Sequence, residues 1–178
     1  MAAVALAGHT TVTQWTLEEL SAAAANGMVK RNFDRGRKMF AAVGCFVCHR
    51  FGNEGGMTGP DLTGAGGRYS PHDLLDQIIN PSKEINEQFV PTVLTKKDGE
   101  EIVGTIVNLN NDTVAVNTDP TDPNQRITVD RKLVVSMAPS KISPMPVGLL
   151  NILSKEEVLD LVAYVLSGGD PANEMFKK

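Results

Sequence analysis

Apolar and polar positions along the chain follow three regimes in turn, and each predicts a different kind of element. In the first regime apolar residues recur at helical spacing. Residues 16–26, "TLEELSAAAAN", open on Thr16 as an N-cap, carry two acids in the first turn and meet Gly27 as a stop, which predicts a short helix. Residues 32–43, "NFDRGRKMFAAV", place Phe33, Arg37, Met39 or Phe40, and Val43 on one face and run into Gly44, which predicts a second. The period fails over residues 52–70, where seven of nineteen residues are glycine and one is proline, so this segment reads as a loop. Ser70 as N-cap and Pro71 at the first helical position then open a helix over "PHDLLDQIIN", which ends at Asn80-Pro81.

From 88 to 138 the period changes to two. The segment is rich in Val, Ile and Thr, and is broken at Asp98-Gly99, at Asn110-Asn111-Asp112 and over Pro120–Asn124. Four or five short antiparallel strands are predicted, rolled into a small barrel. Helical spacing returns at Ser154-Lys155-Glu156-Glu157, a capping box. Val158, Leu161, Val162 and Val165 follow as a stripe, with Gly168 as stop. Neither internal repeats nor low-complexity segments interrupt this order. The expected organisation is an N-terminal extension with a short helix (1–30), a mostly α domain in two pieces (31–87 and 139–170), and an inserted small antiparallel β subdomain (88–138). Overall the class is α+β.

Composition changes this picture little. With 42% hydrophobic residues, 21% charged and a formal charge of −4, the chain has an ordinary soluble surface, and its mild acidity argues against nucleic acid as a partner. No apolar run approaches the roughly 20 residues that span a bilayer. The N-terminus "MAAVALAGHT" is the nearest thing to an export signal, yet it lacks a basic region and its apolar stretch is short.

The chemistry concentrates in "GCFVCHRF", residues 44–51, which holds both cysteines, Cys45 and Cys48, and one of the three histidines, His49. Such a pair suits a thioredoxin-like redox site, half a zinc site, a disulfide, or covalent haem attachment. Zinc needs a second ligand pair, and His9 and His72 stand alone. The redox site wants a preceding strand, and a helical segment stands there instead. Haem attachment needs what is present: two thiols for the two vinyl groups and an adjacent imidazole for the iron. The other axial position has seven methionines to choose from. Met1, Met28 and Met175 lie near the ends or before the first core helix. Met39 belongs to a core helix, Met57 to the glycine loop close after His49, and Met137 ends an apolar strand in which it is expected to pack. Met145 stands between Pro144 and Pro146 in a segment that can be neither helix nor inner strand, a stiff strap suited to present one thioether. His/Met ligation raises a haem's reduction potential.

Five features together resemble class I cytochrome c. They are the helix with Gly36 and Phe40; Cys45-Phe46-Val47-Cys48-His49; Gly59-Pro60-Asp61-Leu62; Met145-Pro146; and the last helix "LVAYVLSGG" with Tyr164. The chain looks more specifically like the cytochrome c-like haem domains at the C-termini of large exported dehydrogenase-like proteins of planctomycetes and verrucomicrobia. The resemblance implies one haem c bound covalently through Cys45 and Cys48, with iron ligands His49 and Met145. It implies that the Pro60 carbonyl accepts the His49 Nδ1 proton, that Arg68 and Tyr69 meet a haem propionate, and that Gly36 and Phe40 pack against Tyr164.

The implied function is single-electron transfer, not enzymatic catalysis, with a fused or separate dehydrogenase as donor and a cytochrome or reductase as acceptor. A haem-based gas or redox sensor with a displaceable Met145 is the alternative, and a peroxidase would want a distal acid–base group and an open iron site. Such haems are attached outside the cytoplasm, so the chain is expected to be periplasmic or otherwise exported, as a fragment or signal-removed form. A monomer without a membrane span is expected.

Overall fold

The structure, a computed structural model, describes residues 12–177. His9, Met1 and the signal-like stretch 1–10 lie outside the described residues. The fold is a mixture of helices and one five-stranded antiparallel sheet. It divides into two compact units, one comprising Met1–Lys83 and Pro146–Lys178, the other Glu84–Met145. No described helix is long and apolar enough to cross a membrane.

The first unit is helical. Helix α1 (Leu17–Gly27) starts at Thr16, whose side chain accepts from Glu19 N while Glu19 reaches back to Thr16 N, satisfying two end donors reciprocally. Helix α2 (Phe33–Ala42) is capped by Asn32. A single turn, α3 (Cys45–Cys48), follows, and then come α4 (Pro71–Ile79), capped by Ser70 and Asp73, and α5 (Lys155–Leu166). Helix α1 does more than extend the chain. Leu20 and Ala24, one turn apart on α1, are 0% and 3% exposed in the main core, because an amphipathic helix must bury its stripe against something. On α2 the buried stripe is Gly36, Met39, Phe40 and Ala42; Arg37, expected on that face, is exposed.

Helices α2 and α5 cross at Gly36. A Cβ there would lie 2.3 Å from the Asp160 carbonyl oxygen and 2.8 Å from Tyr164 Cβ, so only hydrogen fits between the backbones. Asp160 itself is 0% exposed. A buried carboxylate is costly unless it is paired. Here it accepts the Asn32 N–H, the first step of α2, and meets Arg35 and Arg31. Phe40 sits at the middle of an aromatic cluster with Phe46 (4.5 Å between centroids), Phe51 (5.3 Å) and Tyr164 (5.6 Å). Edge-on and tilted pairs of this kind add to plain area burial.

The second unit is a sheet of β3 (Thr92–Lys96), β4 (Glu101–Leu109), β5 (Thr113–Asn117), β6 (Arg126–Asp130) and β7 (Val134–Pro139), in the order β6-β5-β4-β3-β7. Three successive hairpins lay down β3 to β6, and β7 then returns to the free side of β3. Leu94, Ile102, Val114, Val116 and Val129 form its own small core. Register shifts at Ile106/Asn108 and Thr95/Lys96 bend the sheet. Met137, expected to pack within its strand, is instead 36% exposed. It pairs with the buried Leu94, but β7 is an edge strand with no second neighbour to cover it.

Gly104 marks the tightest approach in this sheet, since a Cβ there would meet Asn117 O at 2.1 Å and Val116 Cγ1 at 2.7 Å. Gly104→Val should destabilise the β unit by about 2–3 kcal/mol through overpacking. Amide exchange should then speed up across β3–β5 while α2 and α5 keep their protection; equal loss in both units would count against this reading.

Candidate functional site

The site starts where α2 ends. Gly44 adopts φ +80, a left-handed conformation that costs glycine little, and turns the chain directly into α3. Cys45 and Cys48 are first and last residues of that turn, three apart, so their side chains share a face. Both thiols are free and half-buried. Burial pushes the Cys45 thiol up to about 12. Between them Phe46 stands edge-on to Phe40, which pins the turn to the main core, while Val47 is 51% exposed. The sequence motif thus has one inward anchor and one outward apolar residue.

His49 caps the turn with its N–H donating to Cys45 O at 2.9 Å. Its Nδ1 lies 2.7 Å from Pro60 O. A carbonyl can only accept, so Nδ1 carries a proton, and in the neutral ring Nε2 is the nitrogen with the lone pair. This is the arrangement that orients an imidazole as a metal ligand and raises its basicity.

The glycine segment holds that geometry by wrapping on the motif's backbone. It contains the two-residue strands β1 (Arg50–Phe51) and β2 (Glu54–Gly55), paired antiparallel. Gly56 N donates to Phe46 O and Gly59 N to Cys48 O, both at 2.8 Å. A Cβ at Gly55 would lie 2.2 Å from His49 O, and one at Gly56 would lie 2.1 Å from Val47 O. At Gly59 it would lie 2.9 Å from Cε1 and 3.0 Å from Nδ1 of the His49 ring. By its composition this stretch reads as a plain loop. The signal for its contacts is the spacing of Gly55, Gly56 and Gly59, three points where a backbone must touch another backbone or a ring.

Gly59 therefore positions His49. Gly59→Val should leave the two cysteines able to hold a haem but push the imidazole off Pro60 O. The expected readout is a weakened iron–histidine stretch in resonance Raman spectra of a ferrous, haem-loaded Met145→Ala background, whose open sixth position makes that stretch observable, with the haem still covalently attached. An unaltered stretch would show that the ring does not depend on this contact.

Arg68 and Tyr69 follow the short turn Ala65–Gly67. Arg68 is exposed and donates from Nη2 to Asp61 O at 2.8 Å, with its guanidinium carbon 5.8 Å from the Tyr69 ring centre. Tyr69 is half-buried against the main core. Thr63 hydrogen bonds, helped by Arg50 and Arg68, hold the Asp61 carboxyl below its usual range. His72 is exposed and its Nδ1 lies 2.8 Å from Ser21 Oγ, a surface link from α4 to α1.

Met145 is the last residue of the Glu84–Met145 unit. Its N–H donates to Ser143 Oγ at 3.1 Å. Of the other candidates, Met39 is 4% exposed in the main core, Met28 packs against that core, and Met57 is 79% exposed.

These residues fit a covalent haem better than zinc. Among the described residues no group of three or more His, Cys, Asp or Glu side chains gathers to hold a metal ion. The motif instead offers two unpaired thiols on one face beside an imidazole whose outer nitrogen is free, from a turn that follows a helix instead of a strand.

Comparison with known proteins agrees with that geometry over part of the chain. Residues 33–97 match the model of the cytochrome c family, and this supports a cytochrome c-like haem-binding domain there. The match contains Cys45, Cys48, His49, Pro60, Arg68 and Tyr69 and stops before Met145. No curated protein matches the chain.

Proposed function

We propose that the chain carries single electrons through one haem c, bound covalently by Cys45 and Cys48, with His49 and Met145 as axial ligands. The observation that carries this reading is the His49 ring. Its Nδ1–H is spent on Pro60 O and its face lies against Gly59, beside two free thiols one helical turn apart. The haem-carrying part is a mostly α domain of residues 31–87 and 139–170, with residues 88–138 as an insertion.

Bound haem supplies an Fe(III)/Fe(II) couple, and the protein's part is to hold its ligand set constant. Pro60 keeps His49 in one tautomer through the cycle, so no proton need move at Nδ1. The Phe40–Phe46 contact keeps the attachment turn against the core. Arg68 and Tyr69 serve a propionate from the loop that Asp61 braces. Met145, a neutral and soft donor, favours the ferrous state and so raises the potential. With His49 and Met145 both holding the iron, no open position would be left for a substrate, and the module would act as an electron carrier and not an enzyme. Its donor is a fused or separate dehydrogenase and its acceptor a cytochrome or reductase, in an exported compartment where such attachment occurs. The chain acts as a monomer.

The test is attachment. Haem in the purified protein should survive acid–acetone extraction, and its pyridine haemochrome should have the spectrum of two thioether links. In Cys45→Ser with Cys48→Ser the haem should extract completely. Free extraction from the unaltered protein, or zinc bound in its place, would overturn the reading.

A further inference from the structure

Met145 and the seam between the two units coincide in the chain. Met145 ends the β unit and Pro146 begins the returning part of the helical unit. What fastens the strap on each side is therefore informative. On the β side, Ser140 is nearly buried and its N–H donates to Pro91 O at 2.8 Å, which ties the end of β7 to the entry of β3. Ser140 Oγ then accepts from Ile142 N and donates to Ile142 O, both at 3.0 Å. Ser143 Oγ accepts the Met145 N–H. These bonds fasten the strap in two steps, the first from the edge of the sheet to Ile142 and the second from Ser143 to the methionine backbone, joined by the Ile142–Ser143 peptide.

On the other side, Gly148 takes φ +77 into the turn Leu149–Ile152, whose Leu150 is 3% exposed in the main core. Asn151 O accepts from Thr13 N and Asn151 Oδ1 from Trp15 N, and Trp15 Nε1 donates to Leu153 O. Pro144 and Pro146 cannot donate backbone hydrogen bonds and have fixed φ. The methionine thus sits on a stiff lever, fastened to the β sheet behind it and to the helical core ahead of it.

We propose that the β unit governs Met145's occupancy of the iron's sixth position. Loosening or shifting the sheet pulls the lever and releases the thioether. By linkage, the ligation state must bias the β unit by the same factor. A partner that clamps the sheet would then tune the haem's ligation without touching the haem. This rests on Met145 being a ligand, as proposed above.

The experiment uses the full haem-loaded chain and weakens the sheet far from the strap. Leu94 is 0% exposed in the β core. Leu94→Ala should raise the rate at which carbon monoxide binds the ferrous protein by about tenfold or more, since a large-to-small core change populates an opened state. The ferric methionine–iron absorption should fade at lower urea than in the unaltered protein, in step with loss of amide protection in β3–β5. Three glycines inserted between Ile142 and Ser143 should uncouple the two, leaving Met145 ligated and insensitive to Leu94→Ala. If Leu94→Ala exposes the β amides but leaves carbon monoxide binding and the absorption unchanged, the lever is refuted while the ligand assignment stands. If Met145→Ala leaves the spectrum unchanged, the ligand assignment itself fails and the lever with it.

Discussion

Met145→Ala should keep the haem and lose its sixth ligand. The proposed attachment through Cys45 and Cys48, with His49 held by Pro60, would not depend on residue 145. The ferrous protein should turn high-spin and bind carbon monoxide, the ferric methionine–iron band should vanish, and the potential should fall, because a thioether favours the ferrous state. Optical spectra with and without carbon monoxide measure the first two effects, and a redox titration the third. Met57→Ala and Met137→Ala are the controls. Both residues are exposed, and both variants should behave as the unaltered protein. A Met145→Ala protein with an unaltered spectrum would falsify the assignment, and Met137 would be the next residue to replace.

Gly36→Ala should be destabilising although alanine is the better helix former. Helix propensity alone favours alanine over glycine by about 1 kcal/mol at an interior position. Against it, the new methyl would lie 2.3 Å from Asp160 O and 2.8 Å from Tyr164 Cβ, and the first of these is backbone and cannot rotate away. Separating α2 from α5 would also disturb Phe40 against Tyr164 and the pairing of buried Asp160 with Arg35. Overpacking of this kind costs about 3 kcal/mol. The net loss of about 2 kcal/mol corresponds to a Tm lower by roughly 10 °C for a domain near 100 residues. Gly36→Val should be worse. Thermal melts of the haem-loaded protein decide the matter. An alanine variant as stable as the unaltered chain would mean that propensity wins and that the crossing is looser than the contacts say.

The same contrast between local and long-range effects separates what was legible in the sequence from what was not. The Cys45-Phe46-Val47-Cys48-His49 turn could be read directly because its chemistry rests on a spacing within one helical turn. The helices that begin at Leu17, Pro71 and Lys155 could be read because Thr16, Ser70 and Ser154 sit where a cap must sit, and the one that begins at Phe33 from its apolar spacing. The change to alternating Val, Ile and Thr after residue 88 announced strands for the same reason, since a period of two is a property of the local backbone.

Pairing and contact are different, because they join residues that the sequence keeps far apart. Nothing local says that β7 returns to β3 and leaves Met137 on an uncovered edge, or that Leu20 and Ala24 close the main core from a segment that read as an extension. The glycines read only as a loop, and it took the folded chain to turn Gly55, Gly56 and Gly59 into close contacts on the motif and on the His49 ring. The sequence by itself determined the reactive groups and the periods of the elements, since both follow from bonded neighbours. Tertiary structure decided which nitrogen of His49 is free, why Gly36 must be glycine, and that Met145 falls where one unit ends and the other resumes. Those depend on which distant backbones approach, and hydrophobic burial settles that for the whole chain at once.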